Sequence, residues 1–511
     1  MVNLPRDTDL VDLRQRLARL GKVTIQSPVS ASRQWLDTHD WRLHRSGQRL
    51  ERWGGAADMR LRLSRIEEPA DVIELPSCEA PAFAGDFSSA ILRRRLGQVV
   101  SVRRLLPQCE MQAALQLISL HDERDKRVVR LELWRPRRRG ELFVRVTPLR
   151  GYDAVAKRAI KRLLTCPGAS AVAEDPLLGV TARLPVAPGQ YPAWAMTRCR
   201  LPTVGARTDD VLLRQLAHFA DIMALNIDGM GQALDSEFVH QFRVGLTRSR
   251  ALLRNTPQTF AAGRVTPQIE VLGWMARETG AVRDADVCAL VFPDYVAALR
   301  ADERAALQPL LAFVNGERQR AQNALALLLA SSQFRRRWRA WVQFANAAAP
   351  RASRQVLGAQ PIAIVAPQLL AKRARAIERK GRQINAESSV EAYHNLRKNC
   401  KFLRYMIDAY SFYLSKPIPP RTIKRLKVLQ ELLGEYQDLD VHQTALSDLQ
   451  RRMQQQDLLS VETHRAIEVL QASLRQRAER VRARFPEDFS AFGKLRLARS
   501  LRKSRSLSHC R

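Results

Sequence analysis

At 511 residues the chain is too long for a single compact core, which predicts two or three domains. Hydrophobic residues make up 46% of it and aromatic residues only 6%, so it is not a disordered chain and its Leu-, Ala- and Arg-rich texture leans towards helix. Lys and Arg number 84 against 51 Asp and Glu, a net charge of +33, which calls for an anionic partner: nucleic acid, an anionic membrane surface or another polyanion.

The N-terminus, MVNLPRDTDLVDLRQRL, brings acids early and no apolar segment, so it does not read as a secretory signal. No stretch reaches the ~18 apolar residues of a membrane span, and the richest, Ala324–Ala330, is far shorter. Cys78, Cys109, Cys166, Cys199, Cys288, Cys400 and Cys510 are odd in number and without Cys-x-x-Cys spacing, which argues against a disulfide framework or a structural zinc site and for a reducing, cytoplasmic setting.

Residues 1–165 predict an α+β domain. Alternating apolar positions mark strands at Arg60–Leu63, Val128–Trp134 and Leu142–Val146, with turn residues at Gly54-Gly55 and from Pro136 to Gly140, and a helix at Val155–Leu164. Residues 166–205, with Pro167, Pro176, Pro185, Pro188, Pro192 and Pro202, read as a Pro/Gly-rich linker. Residues 206–490 predict an all-α domain of eight to ten helices. The apolar spacing marks Val211–Asn226, Ser236–Asn255, Gln268–Thr279, Arg304–Leu329, Leu369–Gln383, Val390–Leu414, Ile423–Leu433 and Val461–Arg484. Residues 491–511 form a basic tail that adds non-specific attraction for anions.

The all-α domain contains an internal repeat. At a constant offset of 154, Phe238–Val287 aligns without gaps on Ala392–Val441. His240 meets His394, Arg243 meets Arg397, Arg250 meets Arg404, Gly280 meets Gly434, Asp284 meets Asp438 and Asp286 meets Asp440. Apolar positions follow, including Leu253 with Ile407 and Leu272 with Leu426. Two pseudo-symmetric helical-bundle halves, related by a pseudo-two-fold axis, are therefore expected.

His394, Arg397, Lys401 and Arg404 lie at helical offsets 0, 3, 7 and 10, so they share one face and span about 15 Å. The first half supplies His240, Arg243, Arg250 and Arg254, with Thr247 in the third slot. A second row, Lys372, Arg375, Arg379 and Arg382, has the same spacing; its first-half equivalents His218, Asp221, Leu225 and Asp228 are not basic, so the site is expected to be stronger in the second half. Like charges one turn apart destabilise a helix unless acids or a bound anion compensate. Arg forks and Lys ammoniums suit phosphate oxygens. A linear phosphate polymer, charged at every unit and without base edges, suits such rows better than isolated pockets do. The Asp-x-Asp pairs are expected to cap a helix or orient the arginines rather than hold a metal, and Gly280 and Gly434 read as helix C-cap glycines.

The stretch Val239-His240-Gln241-Phe242-Arg243-Val244, and His394-Asn395-Leu396-Arg397-Lys398 with Lys401, Arg404 and Tyr405, resembles the CHAD domain, the conserved histidine α-helical domain. Leu272–Val287 and the run from Leu429 to Asp440 resemble its second motif in each half. The resemblance covers roughly 206–490 and implies two four-helix halves, a basic channel that binds inorganic polyphosphate, and association with polyphosphate granules. Thr247 in place of a basic residue and Ser249 in place of leucine weaken the first half's share. Residues 1–165 more distantly resemble the CYTH triphosphatase domain, a partial β-tunnel, through Trp35-Leu36-Asp37-Thr38, Leu43 to Gly47, Leu50 and Arg52. That family holds a divalent metal with Glu pairs. Here the first strand, near Lys22–Gln26, lacks Glu-x-Glu-x-Lys, Arg145 stands where Glu is expected, and Glu132 stands alone, so a degenerate domain without activity is implied.

The expectation is thus a non-catalytic polyphosphate-binding protein, with no cofactor, no metal site and no catalytic set. Non-specific nucleic-acid binding at low salt accompanies that reading. The alternatives are a metal-dependent triphosphatase acting through the N-terminal domain, or a nucleic-acid binder, although no recognition motif, zinc spacing or aromatic stacking platform is present.

Overall fold

A computed structural model describes residues 1–66, 72–76, 81–137, 142–172, 186–194, 205–261, 263–347, 356–385 and 387–503. The chain folds as two units, Met1–Pro192 and Ala193–Arg511. Cys78, Cys199, Cys510, much of the linker and the tail beyond 503 lie outside the described residues, whereas Cys109, Cys166, Cys288 and Cys400 are buried free thiols.

The first unit is an antiparallel sheet flanked by helices. Its strands are β1 (Val2–Leu4), β2 (Lys22–Ile25), β3 (Val29–Asp37), β4 (Gln48–Gly55), β5 (Asp58–Arg65), β6 (Val72–Pro76), β7 (Leu106–His121), β8 (Arg127–Pro136), β9 (Leu142–Pro148) and β10 (Ser170–Ala171). They run in the order β10-β1-β9-β8-β7-β3-β4-β5-β6, with β2 also on β7. Period-two alternation sorts the side chains. One face carries Leu50, Leu61 and Leu63 against the short α2 (Arg42–Arg45) and α3 (Ala90–Val100). Further along, that face carries Leu131, Leu133 and Val144 against α1 (Leu10–Ala18) and α4 (Asp153–Leu163). β1 precedes the first strand expected from the sequence, near Lys22–Gln26, because its three residues are too few for alternation to register.

The other face holds Trp53, Trp134 and Phe143 together with ionised groups. Arg62 on β5 bonds Glu132 on β8, although β7, β3 and β4 separate those strands in the sheet. Arg130 on β8 donates to Glu74 on β6 at 2.8 Å, and Arg145 on β9 donates to Glu51 on β4 at 2.9 Å. These bonds are short only because the sheet rolls until its inner face meets itself.

The second unit is helical. α5 (Thr208–Gly231), α6 (Ser236–Asn255), α7 (Thr266–Glu278), α8 (Gly280–Ala297), α9 (Ala301–Ala306), α10 (Gln308–Ala330) and α11 (Ser332–Ala345) are followed by α12 (Ile362–Arg382), α13 (Val390–Tyr410), α14 (Pro420–Gln455), α15 (Val461–Gly493) and α16 (Leu497–Lys503). At the 154-residue offset α5 falls on α12, α6 on α13, α7 with α8 on α14, and α10 on α15. The halves join on their own axis. Arg207 and Pro361, repeat equivalents, form an antiparallel bridge, with Thr208 N donating to Gln360 O at 3.0 Å and Ile362 N to Ala206 O at 2.9 Å. One continuous apolar cluster, including Leu216, Phe242, Leu272, Leu370, Leu396 and Leu426, runs through both halves.

Four sequence expectations change. Arg304–Leu329 divides into α9 and α10 at Leu307, and α14 runs to Gln455, far past Leu433. α11 was missed because its apolar positions, Phe334, Trp338 and Trp341, are interleaved with four arginines. Gly280 and Gly434 are not C-caps: Gly280 opens α8, and Gly434 lies inside α14. Neither has positive φ, the conformation a C-cap glycine supplies.

Candidate anion-binding site

Matching caps set the phase of the two basic helices. Asp235 accepts from Glu237 N and Phe238 N at the start of α6, and its repeat equivalent Ser389 accepts from Ala392 N at the start of α13. A capping side chain satisfies N–H groups the first turn leaves open. Each histidine therefore enters in its helix's second turn. His240 and His394 are both half-buried.

On α13, Arg397 donates from Nη1 to Asp438 Oδ1 on α14 at 3.0 Å, while its Nε is buried without a hydrogen-bond partner. Its guanidinium lies over Gly434, with Nη2 3.6 Å from the position a β-carbon would take. Arg404 reaches Gln430 at 3.5 Å, and Gln430 donates to the Cys400 carbonyl at 2.6 Å. Burial, then the charge of Arg397, holds the Lys401 ammonium below its ordinary pKa, and Asp438 opposes this in part. His394 is also pulled down, by burial first and then by Lys398, Arg397 and Lys401, against a hydrogen bond with Gln437.

On α6, Arg243 is committed differently. It donates to the Ala276 carbonyl at 2.6 Å and to Thr279 Oγ1 at 3.0 Å. Gly280, equivalent to Gly434, again leaves room, with Arg243 Nη1 3.9 Å from its β-carbon position. Burial lowers the Arg243 pKa, Asp284 raises it and Arg283 lowers it further. Asp284 and Asp438 thus stand beside the repeat-equivalent arginines, and Asp286, fully buried, accepts from Arg318 at 2.7 Å. Thr247 turns its hydroxyl to the Arg243 carbonyl at 2.9 Å. Arg250 is lowered by burial and by Arg254, Arg277 and Arg243.

Sequence reasoning did not single out Arg248. It is buried, donates to Asp408 on α13 at 3.1 Å, and lies 4.5 Å from the Tyr405 ring and 5.4 Å from that of Trp194. It links the two basic helices across the seam between the halves. It occupies the core side of α6, where a charge is not expected from the apolar period. Arg277, Arg283, Gln430 and Gln437 were also missed, since they sit on α7, α8 and α14 and meet the rows only through packing.

The α12 row is distinct. Lys372, Arg375, Arg379 and Arg382 are exposed. Arg375 donates back to its own helix at the Ala371 carbonyl, and Arg382 lies 3.9 Å from Glu378. The residue of α12 that reaches α13 is Arg373, outside the row, which donates to Asn399 at 2.6 Å and faces the Phe402 ring at 5.7 Å.

Residues 214–447 match the CHAD domain family model. This stretch is a CHAD domain. Two uncharacterized proteins from two strains of Mycobacterium tuberculosis are each 29% identical to the chain over 203 residues; that is 39% of this chain and 38% of their own length. Two solved structures are similar. The CHAD domain from the plant Ricinus communis has a TM-score of 0.46 and 22% identity, covering 56% of this chain and 94% of that one. PptA from Streptomyces chartreusis has a TM-score of 0.43 and 17% identity, covering 56% and 100%. The CHAD match includes α6, α13 and the glycines beneath Arg243 and Arg397. Among the described residues, no helix is long and apolar enough to cross a membrane, and no group of three or more His, Cys, Asp or Glu side chains is placed to hold a metal ion.

Proposed function

We propose that the CHAD domain binds inorganic polyphosphate along the basic faces of α6 and α13. The observation that carries this reading is the state of the cations there. Arg250 and Arg397 each keep a buried Nε without a hydrogen-bond partner, and Lys401 and Arg250 are held below their ordinary pKa by burial and by neighbouring cations. Such groups gain on meeting an anion, because phosphate oxygens fill the open donors and relieve the mutual repulsion. The reading includes a cytoplasmic location on polyphosphate granules, with no catalytic step.

The first unit is read as non-catalytic. Glu51, Glu74 and Glu132 converge on the inner face of the sheet, so Glu132 is not alone there. Each carboxylate is nevertheless already bonded to arginine: Glu51 by Arg33 and Arg145, Glu74 by Arg60, Arg62 and Arg130, Glu132 by Arg62. A divalent cation needs carboxylates with open lone pairs and little positive charge nearby. These residues do not fit the metal that the CYTH resemblance implies.

Binding of the full chain to long-chain polyphosphate at physiological salt, with DNA as competitor, tests the proposal. Affinity that DNA does not displace, and that falls when Arg397 and Lys401 are both changed to Glu, is the expected result. Equal affinity for both polymers, unmoved by those changes, overturns it. Magnesium- or manganese-dependent phosphate release from triphosphate would overturn the non-catalytic reading of the first unit.

A further inference from the structure

The two halves of the repeat are not electrostatic equals, and the difference lies in residues outside the shared motif. In the first half Arg250 Nη2 and Arg277 Nη1 converge over the buried Gly273, 4.0 and 3.7 Å from the position a β-carbon would take. Arg254 follows Arg250 by one turn of α6. Arg250 Nε is buried and has no hydrogen-bond partner. Among the described residues no carboxylate pairs with Arg250, Arg254 or Arg277, and the neighbouring groups that act on Arg250 are all cations.

The second half places opposite charge at the same positions. At the 154-residue offset, Arg254 becomes Asp408 and Arg277 becomes Glu431. Asp408 pairs with Arg248, and Glu431 lies 3.6 Å from Lys427, the residue that stands where Gly273 does. Arg404, the counterpart of Arg250, meets Gln430, whose first-half counterpart is Ala276. The second half is partly neutralised by its own side chains, whereas the first brings two guanidinium groups together over a buried glycine, with the charge of Arg254 acting on Arg250 from one turn along α6.

We propose that Arg250, Arg254 and Arg277 form a cradle for a phosphoryl group of a short-chain phosphate, making the first half the tighter anchor of the site. This rests on the polyphosphate reading of the CHAD domain and reverses the sequence expectation that the second half dominates. Three Arg forks around one tetrahedral anion supply more donors than its oxygens require, and the absence of a β-carbon at Gly273 lets Arg250 and Arg277 draw together. A short phosphate bridges few cations, so it reports the local cradle, whereas a long polymer averages over both rows.

The test uses the full chain with tripolyphosphate and long-chain polyphosphate as separate probes in titration calorimetry, for wild type, Arg277→Glu, Arg397→Glu and Glu431→Arg. Arg277 and Glu431 are exposed, so their substitutions leave the core intact. Arg277→Glu is expected to weaken tripolyphosphate binding on the order of tenfold or more, by more than Arg397→Glu does. Glu431→Arg is expected to strengthen it by replacing the carboxylate beside Lys427 with a cation. If wild type binds long-chain polyphosphate but Arg277→Glu binds tripolyphosphate as wild type does, or Arg397→Glu loses more, the cradle is overturned and the broader reading stands. If wild type binds neither probe, both are overturned.

Discussion

Arg397 lies flat on Gly434, with its Nη2 3.6 Å from where a β-carbon would stand and its Nη1 turned to Asp438. The glycine sits in mid-helix, where it weakens α14 by about 1 kcal/mol relative to Ala. Gly434→Ala places its methyl at ordinary contact distance, so it should be neutral or stabilising by up to about 1 kcal/mol, read as a rise in thermal midpoint. Gly434→Leu should push Arg397 off Asp438 and reduce polyphosphate affinity while the helical circular dichroism is kept. Unchanged affinity in the leucine variant would show that the arginine does not need this seat.

The pH dependence of binding should centre on His394. In the free protein burial and neighbouring cations keep its pKa below the ordinary value. A bound polyanion raises it, so the complex takes up a proton and affinity increases as pH falls through the window between the free and bound values. His394→Gln should flatten that rise. Calorimetry in buffers of different ionisation enthalpy measures the proton directly, and zero uptake by wild type at pH 6 contradicts the assignment.

Salt should weaken binding with a log–log slope set by the number of cations engaged. Each of Arg250→Gln, Arg397→Gln and Lys401→Gln should reduce that slope by about one, as expected for a direct phosphate contact. Arg379→Gln, on the exposed α12 row, should lower affinity less and change the slope less, because its charge sits in water.

In the first unit, Arg62 and Glu132 are both buried and bonded. Glu132→Gln removes one of the two carboxylates bonded to Arg62, leaving Glu74, and should cost about 1–3 kcal/mol, measured by denaturant unfolding. The double change Arg62→Met with Glu132→Leu should recover most of that loss, since replacing a buried pair by apolar groups of similar size is often close to neutral.

Glu74 reports on acid stability. Burial alone would raise its pKa, but hydrogen bonds from Arg130 and Arg60 and the charges of Arg62 and Arg130 hold it at about 2. A carboxyl whose folded value is depressed adds stability above its unfolded value, about 4.3, and that stability is lost as pH falls towards 2. Protection factors of β5 and β6 amides, taken relative to the intrinsic exchange rate at each pH, should fall across that window in wild type. Glu74→Gln should show faster exchange already at neutral pH and a flatter response to acid.

The sequence by itself determined the repeat, the helical class of the second unit and the basic faces of α6 and α13. All three follow from spacings of a few residues or from one constant offset, which local periodicity records faithfully. It also determined several strands of the first unit, through alternation. Only the tertiary structure decided what those charges meet. The closure from Arg62 to Glu132 spans strands that the sheet keeps apart, and alternation along one strand carries no information about a partner on another. The repeat aligns α7 and α8 with α14, yet the first pair is interrupted at Thr279 while α14 is continuous. There Arg243 takes the Ala276 carbonyl that a continuing helix would use for Gly280 N, whereas Arg397 turns to Asp438 and leaves its backbone ladder whole. Arg277 has no basic counterpart in the repeat, so only packing against Arg250 over Gly273 brings it to the site.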